Sequence, residues 1–350
     1  MSNDPLEATD RLRYAVSRQF GVASGPSLLE VVERSMGINA QTVRAIHIGL
    51  HARFQGFDAA VLDELLGSYD LVKANLFRGT VHLVTRRQYQ TWRHVLQPML
   101  VKIVNSFFPR IWERLDPADF VERAPSLIRA ADPNLEGLSR AELGEVLRRT
   151  YSEPSLAELG FAARMVLNVV QRAPSSSSWS SVNVKYILAD DIFGVPENVT
   201  REGLYDIAGS FRGAFGPSTV SDLRYFTGLT GLNSKLSEVG KGKLLSGDTG
   251  SDAQERELSS ESPNTQVQIV PEYDSVFFSS NSEHTKGIRK TLMSGPGSQM
   301  LGALILDGTV VGRWRHTKKE GPVLIQLDSD VERAGARAFD EFRDWYLEQR

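Results

Sequence analysis

The chain has 350 residues, 41% of them apolar and 24% charged, the balance of an ordinary soluble globular protein with room for two or more cores. It has no cysteine, which excludes disulfides, thiolate zinc sites, iron–sulfur clusters and a cysteine nucleophile, and fits a cytoplasmic protein. The formal net charge of −3 is not that of a nucleic-acid binder taken whole, and no apolar run reaches the roughly 18 residues of a membrane span.

The start, Met1-Ser2-Asn3-Asp4-Pro5, lacks the basic-then-apolar pattern of a signal peptide. Helical periodicity then dominates roughly the first 240 residues. At Ser27-Leu28-Leu29-Glu30 a hydroxyl residue is followed three positions on by an acid. The hydroxyl accepts an orphan backbone N–H and the acid reaches back to the cap, which starts a helix. The same signature recurs at Ser139-Arg140-Ala141-Glu142 and Thr219-Val220-Ser221-Asp222, each time ahead of a short apolar helix. That is how the second helix of a helix-turn-helix reads, so three repeated helical modules are expected.

After the first such helix, Gly37-Ile38-Asn39-Ala40-Gln41-Thr42 places two amides around one small residue, ahead of the amphipathic segment VRAIHIGLHARF. On composition this is a loop with a helix cap. His47 and His51 have ligand spacing but no acid beside them, so they read as ordinary helix histidines. Leu71–Val84 alternates as a hairpin with Arg78-Gly79 at its turn, either a wing that probes DNA or a plain surface hairpin. Between Asp70 and Glu113 there is no acid, but there are Lys73, Arg78, Arg86, Arg87, Arg93, Lys102 and Arg110. Such a stretch needs acidic neighbours from elsewhere in the fold or an anionic partner; contact with phosphates is the favoured expectation.

Ser175–Ser181 reads as a flexible loop carrying Trp179, and Gly240–Thr265 as a polar linker whose Gly240-Lys241-Gly242 opens no helix and so binds no phosphate. Beyond it QVQIV, DSVFFS, ALILDGTVVGRW and VLIQL read as strands, with Asp307-Gly308 a two-residue hairpin turn. Val331–Arg350 closes the chain as an amphipathic helix. No nucleophile elbow and no paired-histidine metal motif occurs.

These segments resemble the AlkZ-type bacterial DNA glycosylases. The family's polar-small-polar stretch is matched by Gly37–Gln41, and the helix after it by Ile48-Gly49-Leu50-His51-Ala52-Arg53-Phe54. Its hairpin is matched by Arg78-Gly79-Thr80-Val81-His82-Leu83-Val84. Trp179 with Tyr186–Asp191, then Phe215–Leu223, then Pro271-Glu272-Tyr273-Asp274 with Asp307–Trp314, complete the likeness from about Arg11 to Leu327. Five modest motifs in the right order make the case.

The resemblance implies an α+β, mainly helical fold: three tandem winged-helix modules (1–115, 116–195, and 196–265 with the linker) and a C-terminal antiparallel β-barrel with a helix (266–350). It implies hydrolysis of the N-glycosidic bond of alkylated purines in double-stranded DNA, with no metal and no cofactor, by a monomer in the cytoplasm that associates with the nucleoid when bound. Asn39 and Gln41 are then catalytic, Asn39 standing where the family normally has glutamine. DNA contact is expected from Arg78, Gly79, Thr80, His82, Arg86, Arg87 and Arg93. The alternative is a winged-helix transcriptional regulator without catalysis.

Overall fold

The computed structural model describes residues 8–20, 27–175, 177–180, 183–194, 200–232, 236, 265–293 and 299–349. The Gly240–Thr265 linker, Thr265 apart, lies outside them, as do residues 176 and 181 of the serine-rich loop. The chain divides into two compact units, one drawn from residues 1–59, 207–226 and 231–350, the other from residues 60–206 and 227–230.

In chain order the first half runs α1 (Ala8–Gln19), α2 (Leu28–Arg34), β1 (Ile38–Asn39), α3 (Val43–Arg53), α4 (Ala59–Gly67), β2 (Leu71–Asn75), β3 (Val81–Thr85), α5 (Arg86–Phe107) and α6 (Ile111–Arg114). It continues with α7 (Pro117–Ala131), α8 (Arg140–Arg148), α9 (Leu156–Val166), β4 (Val169–Gln171), β5 (Tyr186–Leu188), α10 (Asp190–Phe193), α11 (Thr200–Phe215) and α12 (Val220–Thr227). Then come β6 (Gln268–Val270), α13 (Glu283–Leu292), β7 (Gly302–Leu306), β8 (Thr309–Thr317), β9 (Gly321–Leu327) and α14 (Glu332–Glu348).

All three expected helix starts form. Ser27 and Glu30 exchange bonds ahead of α2, Ser139 and Glu142 ahead of α8, and Thr219 and Asp222 ahead of α12. In the first unit Asp222 does more than cap: its buried carboxylate also takes Arg11 of α1 at 3.1 Å, and Gln19 donates to the Ala214 carbonyl of α11 at 2.9 Å. α1 is thereby tied to the α11–α12 pair, whose Phe211, Phe215 and Phe226 rings meet at 5.1–5.2 Å.

The C-terminal strands form an antiparallel sheet in the order β6-β7-β8-β9. The β7–β8 turn is the expected two-residue one, with Asp307 and Gly308 both at positive φ (45° and 76°). The expected barrel, however, is not there: among the described residues this sheet is open. Small barrels close with about five to eight strands, and four leave a face that one helix can cover. α14 packs against β6 and β9, the two edge strands, and lays Phe339 and Phe342 on the fully buried Trp314. The indole N–H of Trp314 reaches the Val270 carbonyl of β6 at 3.0 Å.

In the second unit β2 and β3 pair antiparallel from Leu71↔Thr85 to Asn75↔Val81, joined by a turn at Phe77–Gly79. A capping box from Thr85 and Gln88 starts α5, whose Tyr89, Trp92 and Leu96 are buried. The Trp92 N–H donates to Asp206 at 2.6 Å. The serine-rich loop is pinned where described: the Ser178 N–H meets Asp63 at 3.0 Å and Trp179 is buried, because an indole has too much apolar surface to leave in water. Among the described residues no helix is long and apolar enough to cross a membrane.

Candidate active site

The site begins where α2 ends. Ser35 closes the helix and the next two residues, Met36 and Gly37, both turn left-handed (φ 59° and 78°). The Gly37 N–H reaches back to the Val32 carbonyl at 3.0 Å, the long bond of a Schellman cap. Glycine adopts this conformation freely; Met36 does so at a cost of about 1–2 kcal/mol. The double turn throws the chain into β1, which buries both Ile38 and Asn39.

Asn39 then folds back on its own chain, its Oδ1 accepting the Gln41 backbone N–H at 3.2 Å. That bond uses the amide oxygen and leaves the two Nδ2 hydrogens as donors. Gln41 itself is exposed. Thr42 stands at the N-cap of α3 but makes no side-chain cap bond; its hydroxyl donates instead to Glu272 Oε1 at 2.9 Å. Glu272 follows β6, some 230 residues on, and α3 packs against both β1 and β6. Arg44, in the first turn of α3, donates to His316 Nε2 at 2.8 Å, and the other nitrogen of that ring bonds the Tyr346 hydroxyl at 3.0 Å.

The far end of α3 is anchored by Arg53, which is fully buried. Its guanidinium holds the Asp274 carboxylate with two bonds of 2.9 and 2.7 Å, the Gly49 carbonyl at 3.0 Å and Gln19 at 3.2 and 3.1 Å. All five N–H donors are thus satisfied. The two histidines of α3 are structural: His47 is buried edge-on to Phe57, and His51 stacks on Trp345 at 3.8 Å. Burial lowers the pKa of His51 to about 4, so it is neutral at pH 7. Among the described residues no group of three or more His, Asp or Glu side chains could hold a metal ion.

The AlkZ-like DNA glycosylase family matches this chain over residues 32–345, nearly its whole length. The chain belongs to that family. Its fold is also similar to that of the DNA glycosylase AlkZ of Streptomyces sahachiroi, with a TM-score of 0.64 and 19% identity over 96% of this chain and 94% of that one. No curated protein matches it. The protein is therefore a DNA glycosylase, an enzyme of DNA repair whose substrate is DNA.

In this AlkZ-like chain the sequence-predicted residues are drawn from both units. Asn39 and Gln41 lie together in the first unit; Arg78, Gly79, Thr80, His82, Arg86, Arg87 and Arg93 belong to the second. There Arg78 occupies the left-handed turn of the hairpin (φ 54°) and is half-buried, with Thr80 donating to the Phe77 carbonyl at 2.9 Å behind it. His82 is fully buried against Phe77; burial first, then the Arg78 charge, lowers its pKa to about 3. Arg86 holds Asp70 and two loop carbonyls, Arg87 holds Asp206, and buried Arg93 holds the Met165 and Leu167 carbonyls. Much of the acid-free stretch thus finds partners inside its own unit. Glu272 was part of a recognised motif, but nothing local in the sequence shows that it reaches Thr42.

Proposed function

We propose that this glycosylase hydrolyses the N-glycosidic bond of alkylated purines in duplex DNA, and that Asn39 and Gln41 form its catalytic centre. The observation that carries the reading is the arrangement before α3: a buried Asn39 pinned on its own backbone, beside an exposed Gln41, in a chain of the AlkZ-like family. A purine alkylated on its imidazole ring is cationic and leaves without prior protonation. What the protein must supply is a held water and dipoles facing an oxocarbenium-like sugar. The Gln41 carbonyl suits the water, and the Asn39 Nδ2 hydrogens suit the sugar or its phosphate.

Asparagine in place of glutamine draws that amide back by about 1.5 Å, one carbon–carbon bond. The extra space fits bulky, cationic guanine adducts of the kind a DNA-alkylating antibiotic leaves, and the enzyme would then protect a producing cell from its own product. The helix pairs α1–α2, α7–α8 and α11–α12, each with a capped second member, support a reading as three winged-helix modules. Arg78, Gly79 and Thr80 supply the DNA-facing hairpin turn in this reading, and the protein acts as a monomer in the cytoplasm.

The test is release of base from duplexes bearing 7-methylguanine, 3-methyladenine or a bulky aromatic N7-guanine adduct. The bulky adduct is expected to leave fastest. Gln41→Ala should slow single-turnover excision by about 100-fold or more, the scale of losing one preorganised polar group, with DNA affinity retained. Asn39→Gln should shift preference towards the methylated bases. Excision by Gln41→Ala at the wild-type rate would overturn the assignment.

A further inference from the structure

The proposed pair leaves one proton unaccounted for. When water attacks the anomeric carbon, the C–N bond breaks and its electron pair goes to the purine, neutralising the cationic ring. The new C–O bond leaves a proton on the former water. Neither Asn39 nor Gln41 can take it, since an amide is not a base near neutral pH.

Among the described residues the fold brings a carboxylate, that of Glu272, to this place. Ile38, next to Asn39, and Pro271, next to Glu272, pack on the same spot of α3: a Cβ at Gly49 would stand 3.0 Å from the Ile38 side chain and 3.8 Å from Pro271. The absence of a side chain at residue 49 is what lets the Ile38 segment come this close, while Pro271 sits at ordinary contact distance from the same spot. Each segment is bent there by a non-glycine residue in the left-handed region, Met36 at φ 59° before one and Tyr273 at φ 60° after the other. Strain of this sort persists where the surroundings enforce it, often at a working site. Asp274, two residues beyond Glu272, is clamped by Arg53, and the Tyr273 hydroxyl is held by the Met300 N–H at 3.2 Å, so the segment is fixed on both sides. The result is the 2.9 Å bond from Thr42 to Glu272 Oε1, formed at the expense of the helix cap that Thr42 would otherwise make. Thr42 is the residue directly after Gln41.

We infer, building on the Asn39/Gln41 reading, that Glu272 is a further catalytic residue: its carboxylate takes the proton of the water that Gln41 holds, and Thr42 is the positioning residue that aims it. Atoms and charge balance, with the purine leaving neutral, the sugar gaining a hydroxyl and the carboxylate gaining the proton.

Single-turnover excision of the fastest-cut adduct of the panel above tests this. Glu272→Gln, which keeps the Thr42 bond but cannot accept a proton, should lose about 100-fold or more, within the range ascribed to general base catalysis. Glu272→Asp should recover part of the loss. Added formate should accelerate Glu272→Ala and leave Gln41→Ala unchanged, because only the first lacks a carboxylate. Thr42→Val should lose about tenfold, and Thr42→Ser should restore the rate. If Glu272→Gln cuts at the wild-type rate while Gln41→Ala is dead, the inference fails and the amide site stands. If Gln41→Ala is fully active, the underlying site fails first. Loss in Glu272→Gln and Glu272→Ala without formate rescue, together with a lowered melting temperature, would make Glu272 structural and overturn the inference.

Discussion

Arg53 and Arg93 are both buried guanidinium groups, one in each unit, and the protein neutralises them differently. Arg53 meets a carboxylate, Asp274, through a two-pronged bond, with Phe20 under its plane at 4.2 Å. Among the described residues Arg93 has no carboxylate in its hydrogen-bond set. It binds the Met165 and Leu167 carbonyls and Gln97, while Gln97 takes the Val166 carbonyl at 2.7 Å. Those three carbonyls close α9, so Arg93 and Gln97 together satisfy a helix end that has no further turn to bond to, and the positive charge meets the negative end of the dipole. One arginine is a clamp between distant segments of the chain; the other is a helix cap made in three dimensions. A buried cation needs either a counter-charge or a converging set of dipoles, and the two fail differently.

The largest effect is expected from the clamp. Arg53→Met leaves Asp274 buried without its partner and should cost about 3–5 kcal/mol in chemical denaturation, whereas pairing it with Asp274→Asn should recover a good part of that. Arg93→Met strands carbonyls rather than a charge and should cost about 1–3 kcal/mol, with no comparable rescue by a second substitution. Equal losses at the two sites would mean that the Asp274 charge is not what sets the scale.

The two cases also mark what a sequence can show. Capping boxes at Ser27, Ser139 and Thr219 were legible because both partners lie within four residues, and so was the Asp307-Gly308 turn, whose conformation is written in its own two residues. The Arg53 stretch and the Pro271–Asp274 stretch were each visible as motifs, but not as partners, because nothing local encodes a contact 221 residues apart. Glu272 beside Thr42 was missed for the same reason. The acid-free run displayed its cations but not the acids that meet two of them. Charge along a chain says nothing of where side chains point, and here Asp70, at the edge of the run, meets Arg86, while Asp206, 119 residues beyond Arg87, meets that one. The barrel was overread because four strands and a covering helix have the same strand spacing as a closed sheet.

Each unit also keeps a histidine neutral, His51 in the first and His82 in the second, with pKa values lowered to about 4 and about 3. Below about pH 6.5 the unfolded chain takes up protons that the folded histidines refuse, so the unfolded state binds more protons and stability falls as pH falls. Between pH 6.5 and 5.5 the loss should approach about 1 kcal/mol for each histidine. Thermal melts across that range should show it, and His51→Phe, which keeps the stack on Trp345, should flatten the slope. An unchanged slope would mean that His51 is already solvated enough to protonate.

The smallest effect separates the two ways a cation is used. If most of the run from Lys73 to Arg110 is spent inside the second unit, DNA binding should depend on salt less steeply than seven cations would give. Arg86 is bound to Asp70 and two carbonyls, and Arg93 to two carbonyls, so their removal should act on folding. Arg78 stands at the turn of a hairpin, half-exposed. Arg78→Ala should therefore reduce the slope of log affinity against log salt by about 1 and weaken binding several-fold, uniformly across sequences, with the melting temperature within a few degrees of the parent. Arg86→Ala should do the reverse, lowering the melting temperature while leaving the slope alone. Equal reductions of the slope by both variants would put the whole stretch on DNA and make its internal pairs incidental.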